Sequence, residues 1–278
     1  MNELAGRVAL VTGAAGGIGQ ALVRAFAAAG LRVGVCDVDA AKAERLAAEL
    51  GQGQAIAAPA DITDSATCAA AVARVTERFG GLHALVNNAG IGMGVIRQDH
   101  FTRPVTIDEV TPELWQRFIA TNLTGAFHMV KAALPTFRVQ RFGRIVNVTT
   151  SFFTMLRAGF YPYGVAKAGL EAWSASLAAE LKGSGITVNV VVPGGPTNTP
   201  MVPPESGYDR SRLIRPEQMA PPMLHLFSDA AGTVTGRRYV AANWDPSLSP
   251  AEAEARSGAP AAWPDLAQNP VWPGGKPA

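Results

Sequence analysis

Two cysteines in 278 residues, Cys36 and Cys68, cannot make a disulfide framework, and a reducing compartment is the expectation. Charge of one sign is also scarce. The net charge is +2 and no Lys/Arg run occurs, which argues against a nucleic-acid partner. No uncharged apolar run approaches the ~20 residues that a membrane span needs. A strand reached by Val8 leaves no room for a signal peptide, so a cytoplasmic protein is expected. The four histidines, His83, His100, His128 and His225, lack metal-ligand spacing, and no metal site is expected. Charged residues are only 17% against 48% hydrophobic, which describes a globular chain large enough for one α/β domain.

What the chain does have is alternation. The apolar run from Arg7 to Val11 reads as a buried strand, and Thr12-Gly13-Ala14-Ala15-Gly16-Gly17-Ile18-Gly19 leads into a helical pattern. A glycine-rich turn between strand and helix lets backbone amides and the helix N-terminus face a phosphate. A second strand ends at Asp37, 18 positions beyond Gly19. A carboxylate there can accept from both ribose hydroxyls and would repel a 2′-phosphate, which favours NAD over NADP. Asp39 is the better candidate for capping the helix that follows. Further strands are expected at 54–58, 84–86, 144–148, 186–192 and 237–242, with helices between them. This pattern predicts a Rossmann-type, doubly wound parallel sheet of about seven strands, helices on both faces, in a single domain. One amphipathic helix is expected from Pro112 to about Phe137, with Asn122 inside it. Residues 200–222 hold six prolines and are expected to form a mobile lid with one or two short helices.

Tyr163 and Lys167 stand four apart in a helix-forming stretch, so phenol and ammonium share one face. A lysine cation close to a tyrosine favours the phenolate, and such a pair can take a proton from an alcohol or return one to a ketone. Tyr161 has the same residue type but Val165 at the partner position.

Thr12-Gly13-x3-Gly17-x-Gly19, Asp61, Asn87-Asn88-Ala89-Gly90, Asn122, Tyr163-x3-Lys167 and Pro193-Gly194, in this order, resemble the short-chain dehydrogenase/reductase family over roughly residues 5–243. The resemblance implies that Tyr163 is the catalytic acid/base and that Lys167 lowers its pKa and binds the nicotinamide ribose. It implies a water relay at Asn122 and an adenine contact at Asp61 with Ile62. Gly13, Gly17, Ile18, Gly19, Asn88, Ala89, Gly90, Pro193 and Gly194 would line the cofactor groove. Thr197 or Thr199 would meet the carboxamide, with the register open because the family's usual threonine falls near Asn198. The family's serine lies 13 residues before the tyrosine; here that position is Thr150, with Ser151 as the alternative. A threonine hydroxyl can still polarise a carbonyl, although its methyl group takes space.

Ser151, Phe152, Phe153, Tyr161 and Gly195 are the expected substrate-pocket residues, which suits an apolar or aromatic secondary alcohol or ketone. The resemblance also implies a homo-oligomer, a tetramer or dimer. Competing readings are a 3-oxoacyl-thioester reductase, which usually takes NADP, and a non-catalytic NAD(H)-binding sensor or scaffold. Residues 1–243 are read as the Rossmann domain and 244–278 as an extension on the surface or on a neighbouring subunit. The extension is rich in proline and holds Trp244, Trp263 and Trp272.

Overall fold

Alternate residues of the central strands serve opposite layers. Along β1 (Val8–Thr12), Ala9 and Val11 join one apolar layer while Val8 and Leu10 join the other. With both faces covered, the strand is apolar throughout. The computed structural model describes residues 3–51 and 53–267; Trp272 lies outside them.

The strands are β1, β2 (Arg32–Cys36), β3 (Ala55–Ala57), β4 (Ala84–Asn87), β5 (Gly143–Val148), β6 (Ile186–Val192), β7 (Arg237–Val240) and β8 (Gly258–Pro260). They form one sheet in the order β3-β2-β1-β4-β5-β6-β7-β8. Seven are parallel, and β8 adds an antiparallel edge. The helices are α1 (Gly17–Ala28), α2 (Ala40–Leu50), α3 (Ser65–Phe79), α4 (Pro112–Ile119), α5 (Gly125–Gln140), α6 (Phe152–Leu156), α7 (Tyr161–Glu180), α8 (Ala220–Phe227) and α9 (Pro250–Ser257). α1 and α8 pack on one face, where Phe26 and Phe227 meet edge to face at 5.2 Å. Val72 and Val75 of α3, Met129 and Phe137 of α5 and Leu177 of α7 fill the other. The strand order reverses beside β1, so the carboxyl ends of β1 and β4 flank the crevice where ligands of such sheets bind.

Three features differ from the sequence reading. The sheet has eight strands instead of about seven, because Gly258–Pro260 of the extension pairs with β7. Pro260 lacks an N–H, and an outer edge strand tolerates that. The single helix expected over 112–137 is two α-helices joined by a π turn over Ala120–Thr124, and Asn122 lies in that turn. Residues 200–219 contain three 3-10 turns, Pro204–Ser206, Arg210–Arg212 and Pro216–Met219, in place of one or two short helices. Prolines open the first and third of these pieces, fixing φ and removing donors, while Asp209 caps the second. Arg210 fastens the segment through bonds to Asn198 Oδ1 and to the Val202 and Thr199 carbonyls.

Candidate active site

The glycine turn is laced to the end of β4. Thr12 Oγ1 accepts from the Asn88 and Ala89 amides, both at 3.1 Å, and Asn88 Nδ2 donates to the Thr12 and Gly13 carbonyls. Gly13 has φ +60° and backs onto Ala89, where a Cβ would come within 2.8 Å of the Ala89 Cα. α1 starts with Gly16 as its N-cap, which offers no side-chain acceptor, so the amides of the first turn are left for an anion. The turn therefore fits a dinucleotide pyrophosphate. Thr199 packs on Gly17, so the loop after β6 lies across this cradle. A Cβ on Gly19 would stand 2.1 Å from the Gly13 carbonyl oxygen. Gly19→Ala must therefore move the turn, and an NADH fluorescence titration is expected to show affinity weakened by about tenfold or more.

Asp37 does two jobs at the end of β2. Its Oδ2 accepts from the Ala15 amide at 3.0 Å and its Oδ1 from the Asp39 amide at 3.1 Å. Asp39 caps α2 by accepting from the Lys42 amide. Asp61 is exposed and bonds to Thr63 through its amide and hydroxyl. The Ile62 side chain is buried against Gly125.

Around Tyr163 four elements converge. The Thr150 hydroxyl lies near the phenol and favours the phenolate, but burial is the larger effect and pushes Tyr163 up to about 12. Lys167 is buried, its Nζ donates to the Val148 carbonyl at 2.9 Å, and desolvation holds it down at about 8. The ammonium lies 5.9 Å from the centre of the Tyr163 ring. Spacing alone predicts that the cation lowers the phenol's pKa; in this structure desolvation is the largest effect and raises it. Asn122 ties α4 and α5 to the β4 loop, with Oδ1 accepting from the Ile91 amide and Nδ2 donating to the Ile91 and Phe118 carbonyls. That leaves one lone pair on Oδ1 for the relay that the resemblance implies. Gly90 sits between Asn122 and Lys167, where a Cβ would lie 2.6 Å from Asn122 Oδ1 and 3.5 Å from Lys167 Nζ.

Ser151, the alternative to Thr150, is occupied: its hydroxyl caps α6 by accepting from the Thr154 amide and pairs with the Thr154 hydroxyl at 2.8 Å. Phe153 is exposed, Phe152 lies under the Arg238 guanidinium, and Tyr161 donates to the Thr106 carbonyl. Thr197 and Thr199 are buried and bond within their own loop. Gly194 has φ +107°, and the Pro193 carbonyl accepts from the Ala242 amide. Gly195 lies against Ile214.

Apart from Phe160, which precedes α7 and was expected to border the pocket, the apolar wall that Tyr163 touches comes from residues the sequence reading missed. Met93, Val105, Phe118 and Phe160 form a buried cluster on which Tyr163 packs with Ile91 and Phe101. The Phe101 and Tyr208 rings meet at 5.3 Å, and Met201 lies over Gly92, so the 92–111 loop and the 200–219 segment touch.

The same geometry has counterparts in known proteins. Residues 7–207 match the short chain dehydrogenase family. A 2,5-dichloro-2,5-cyclohexadiene-1,4-diol dehydrogenase, LinX, of Sphingobium indicum is 35% identical over 246 residues, 84% of this chain and 94% of that protein. The 3-oxoacyl-[acyl-carrier-protein] reductase FabG of Vibrio cholerae is 34% identical over 246 residues, covering 84% and 95%. Among solved structures, the 3-ketoacyl-(acyl-carrier-protein) reductase from Brucella melitensis complexed with NADH superimposes with a TM-score of 0.72, at 31% identity, over 84% of this chain and 95% of that one. The family match over residues 7–207 and the matched length of these relatives show that the chain belongs to the short chain dehydrogenase family.

Proposed function

We propose that the protein is an NAD(H)-dependent oxidoreductase that interconverts an apolar or aromatic secondary alcohol and its ketone. The observation that carries this reading is the Tyr163 phenol beside the Thr150 side chain, with the buried Lys167 ammonium 5.9 Å from the phenol ring and held on the Val148 carbonyl. A bound nicotinamide supplies or accepts the hydride, and the chain's own groups handle the proton. Thr150 donates to the substrate oxygen and polarises it. Tyr163 gives its proton to a ketone oxygen or takes one from an alcohol. Lys167 keeps positive charge near the phenol and so favours the phenolate when the proton has left. Asp37 selects the unphosphorylated ribose. The substrate lies against the wall formed by Met93, Phe101, Phe160 and Tyr208. Self-association fits this reading, since α5 and α7 leave an apolar groove between Phe127, Leu134 and Trp173.

Turnover of a panel of aryl and bulky aliphatic ketones, followed by NADH absorbance, tests the reading; no turnover with either NADH or NADPH would sink it. The 3-oxoacyl-thioester reductase is the second reading, supported by the 34% identity to a protein of that name. Activity confined to β-ketoacyl thioesters would favour it.

With Tyr163 near 12 and Lys167 near 8, both groups hold their protons at pH 7, the state that reduces a ketone. kcat/KM for reduction is expected to be level from about pH 6 to 7.5 and to fall above about 8 as Lys167 deprotonates. Alcohol oxidation, which needs the phenolate that the Lys167 cation favours, should rise with pH only up to about 8 and flatten above it. A reduction profile that climbs through pH 8 contradicts the assignment.

A further inference from the structure

The stripe on α7 that holds Tyr163 and Lys167 continues to Glu171 and Ser174, and each member grips the end of β5. Ser174 Oγ accepts from Asn147 Nδ2, Lys167 donates to the Val148 carbonyl, Glu171 Oε2 accepts from Thr149 Oγ1 at 2.6 Å, and Tyr163 meets the Thr150 hydroxyl. Three consecutive residues, Asn147, Val148 and Thr149, are thus hydrogen-bonded to one helix. Thr150 follows them, and its backbone receives a separate restraint from across the sheet. Arg238 of β7 donates one guanidinium nitrogen to Glu171 Oε2 and the other to the Thr150 carbonyl, both at 3.0 Å.

This ion pair is deeply buried, with side-chain exposures of 7% for Arg238 and 0% for Glu171. Buried pairs are seldom the most stabilising solution for a site, since apolar residues of similar volume often do as well. What the pair supplies here is direction: the planar fork sets the Thr150–Ser151 peptide relative to α7. The C-terminal extension closes the same cluster. The Ala262 amide donates to Glu171 Oε1, Arg238 stacks on Phe152 at 4.2 Å, and Phe152 meets Trp263 at 5.7 Å. Ala262 has φ +60°, a left-handed conformation that alanine adopts only under tertiary constraint.

We propose that Arg238 and Glu171 are positioning residues that aim the Thr150 hydroxyl, and that residues 261–263 of the extension lock this pair in place. Neither residue touches substrate; both act through Thr150. The proposal rests on the functional reading above for the role of Thr150, but not for the mechanical link between β5, α7 and the extension.

Arg238→Lys is the informative variant, because it keeps a cation beside Glu171 but cannot span Glu171 and the Thr150 carbonyl with one nitrogen. Hydrogen exchange on the full-length protein should show faster exchange in 149–156 and in 258–263 together, with the glycine turn unchanged. Misaiming by a fraction of an ångström to one ångström is expected to lower kcat for ketone reduction about 10- to 100-fold while NADH affinity stays within about threefold. In a Thr150→Ala background the same change should alter kcat by less than about twofold, since the group being aimed is gone. Unchanged exchange at 149–156, or an equal loss of kcat in both backgrounds, overturns the proposal. Loosened exchange with no turnover by the parent protein leaves the mechanical link standing and overturns the functional reading instead.

Discussion

Tyr163→Phe is expected to lower kcat for ketone reduction by about 10³-fold, within the range that a positioned acid/base supplies. The ring packs on Met93, Val105, Phe118 and Phe160, and phenylalanine keeps that contact. Only the hydroxyl leaves, and with it the proton for the substrate oxygen and the partner of Thr150. The unpaired threonine costs about 1 kcal/mol, a melting shift of only a few degrees in a domain of this size. NADH affinity should stay within about threefold, so the loss falls on kcat, as for an interaction made in the transition state. Two companions sharpen the result. Thr150→Ala should lose about 10²-fold in kcat, as for removal of one oxyanion donor. Ser151→Ala should instead lose about 1 kcal/mol of stability, as for an N-cap, with the rate nearly intact. A Tyr163→Phe protein that retains more than about a tenth of its turnover would rule this tyrosine out as the acid.

Legibility in the sequence followed the range of the interaction. The glycine turn, Asp39 as a helix cap and the Tyr163/Lys167 pair are all decided within a few residues, so spacing sufficed. The doubly wound parallel sheet followed from alternation and handedness, which are also local rules. Asn122 was found, but the π turn around it was not, because one extra residue in a turn leaves an apolar helical pattern almost unchanged. Counting back 13 residues from Tyr163 favoured Thr150 over Ser151; the hydrogen bond of the Ser151 hydroxyl to Thr154 at the start of α6 is a local cap that counting does not reveal. β8 has three residues, one a proline, and carries no strand signal of its own. Its pairing depends on a β7 edge that nothing else among the described residues covers. Glu171 and Arg238 lie 67 positions apart and read in the sequence as ordinary charges on a helix and a strand. Desolvation is the hardest effect to read. Spacing suggests a cation that lowers a phenol, whereas burial raises Tyr163 and lowers Lys167 together.

Cofactor choice should turn on Asp37 and its neighbour. A 2′-phosphate carries a charge of about −1.5 to −2, and bringing it to a carboxylate costs several kcal/mol, where each ~1.4 is a factor of ten. The parent protein is therefore expected to favour NADH over NADPH in kcat/KM by at least about 100-fold. Val38 follows Asp37 and is 73% exposed, so an arginine there can reach a phosphate without disturbing the core. The pair Asp37→Ser and Val38→Arg should move the NADPH-to-NADH ratio of kcat/KM by about 10²- to 10³-fold towards NADPH, through lost repulsion and a new charge-assisted bond. Asp37 also accepts from the Ala15 and Asp39 amides, so a slackened turn is a second route to any loss. Asp37→Asn separates the two effects, because it keeps an acceptor for those amides while removing the charge. If charge decides, the Asp37→Asn protein recovers NADPH activity and leaves NADH activity nearly intact. If turn geometry decides, both activities fall together and the ratio stays where it was. A parent protein that already prefers NADPH would remove the basis for assigning Asp37 to the ribose, and would return weight to the acyl-thioester reading.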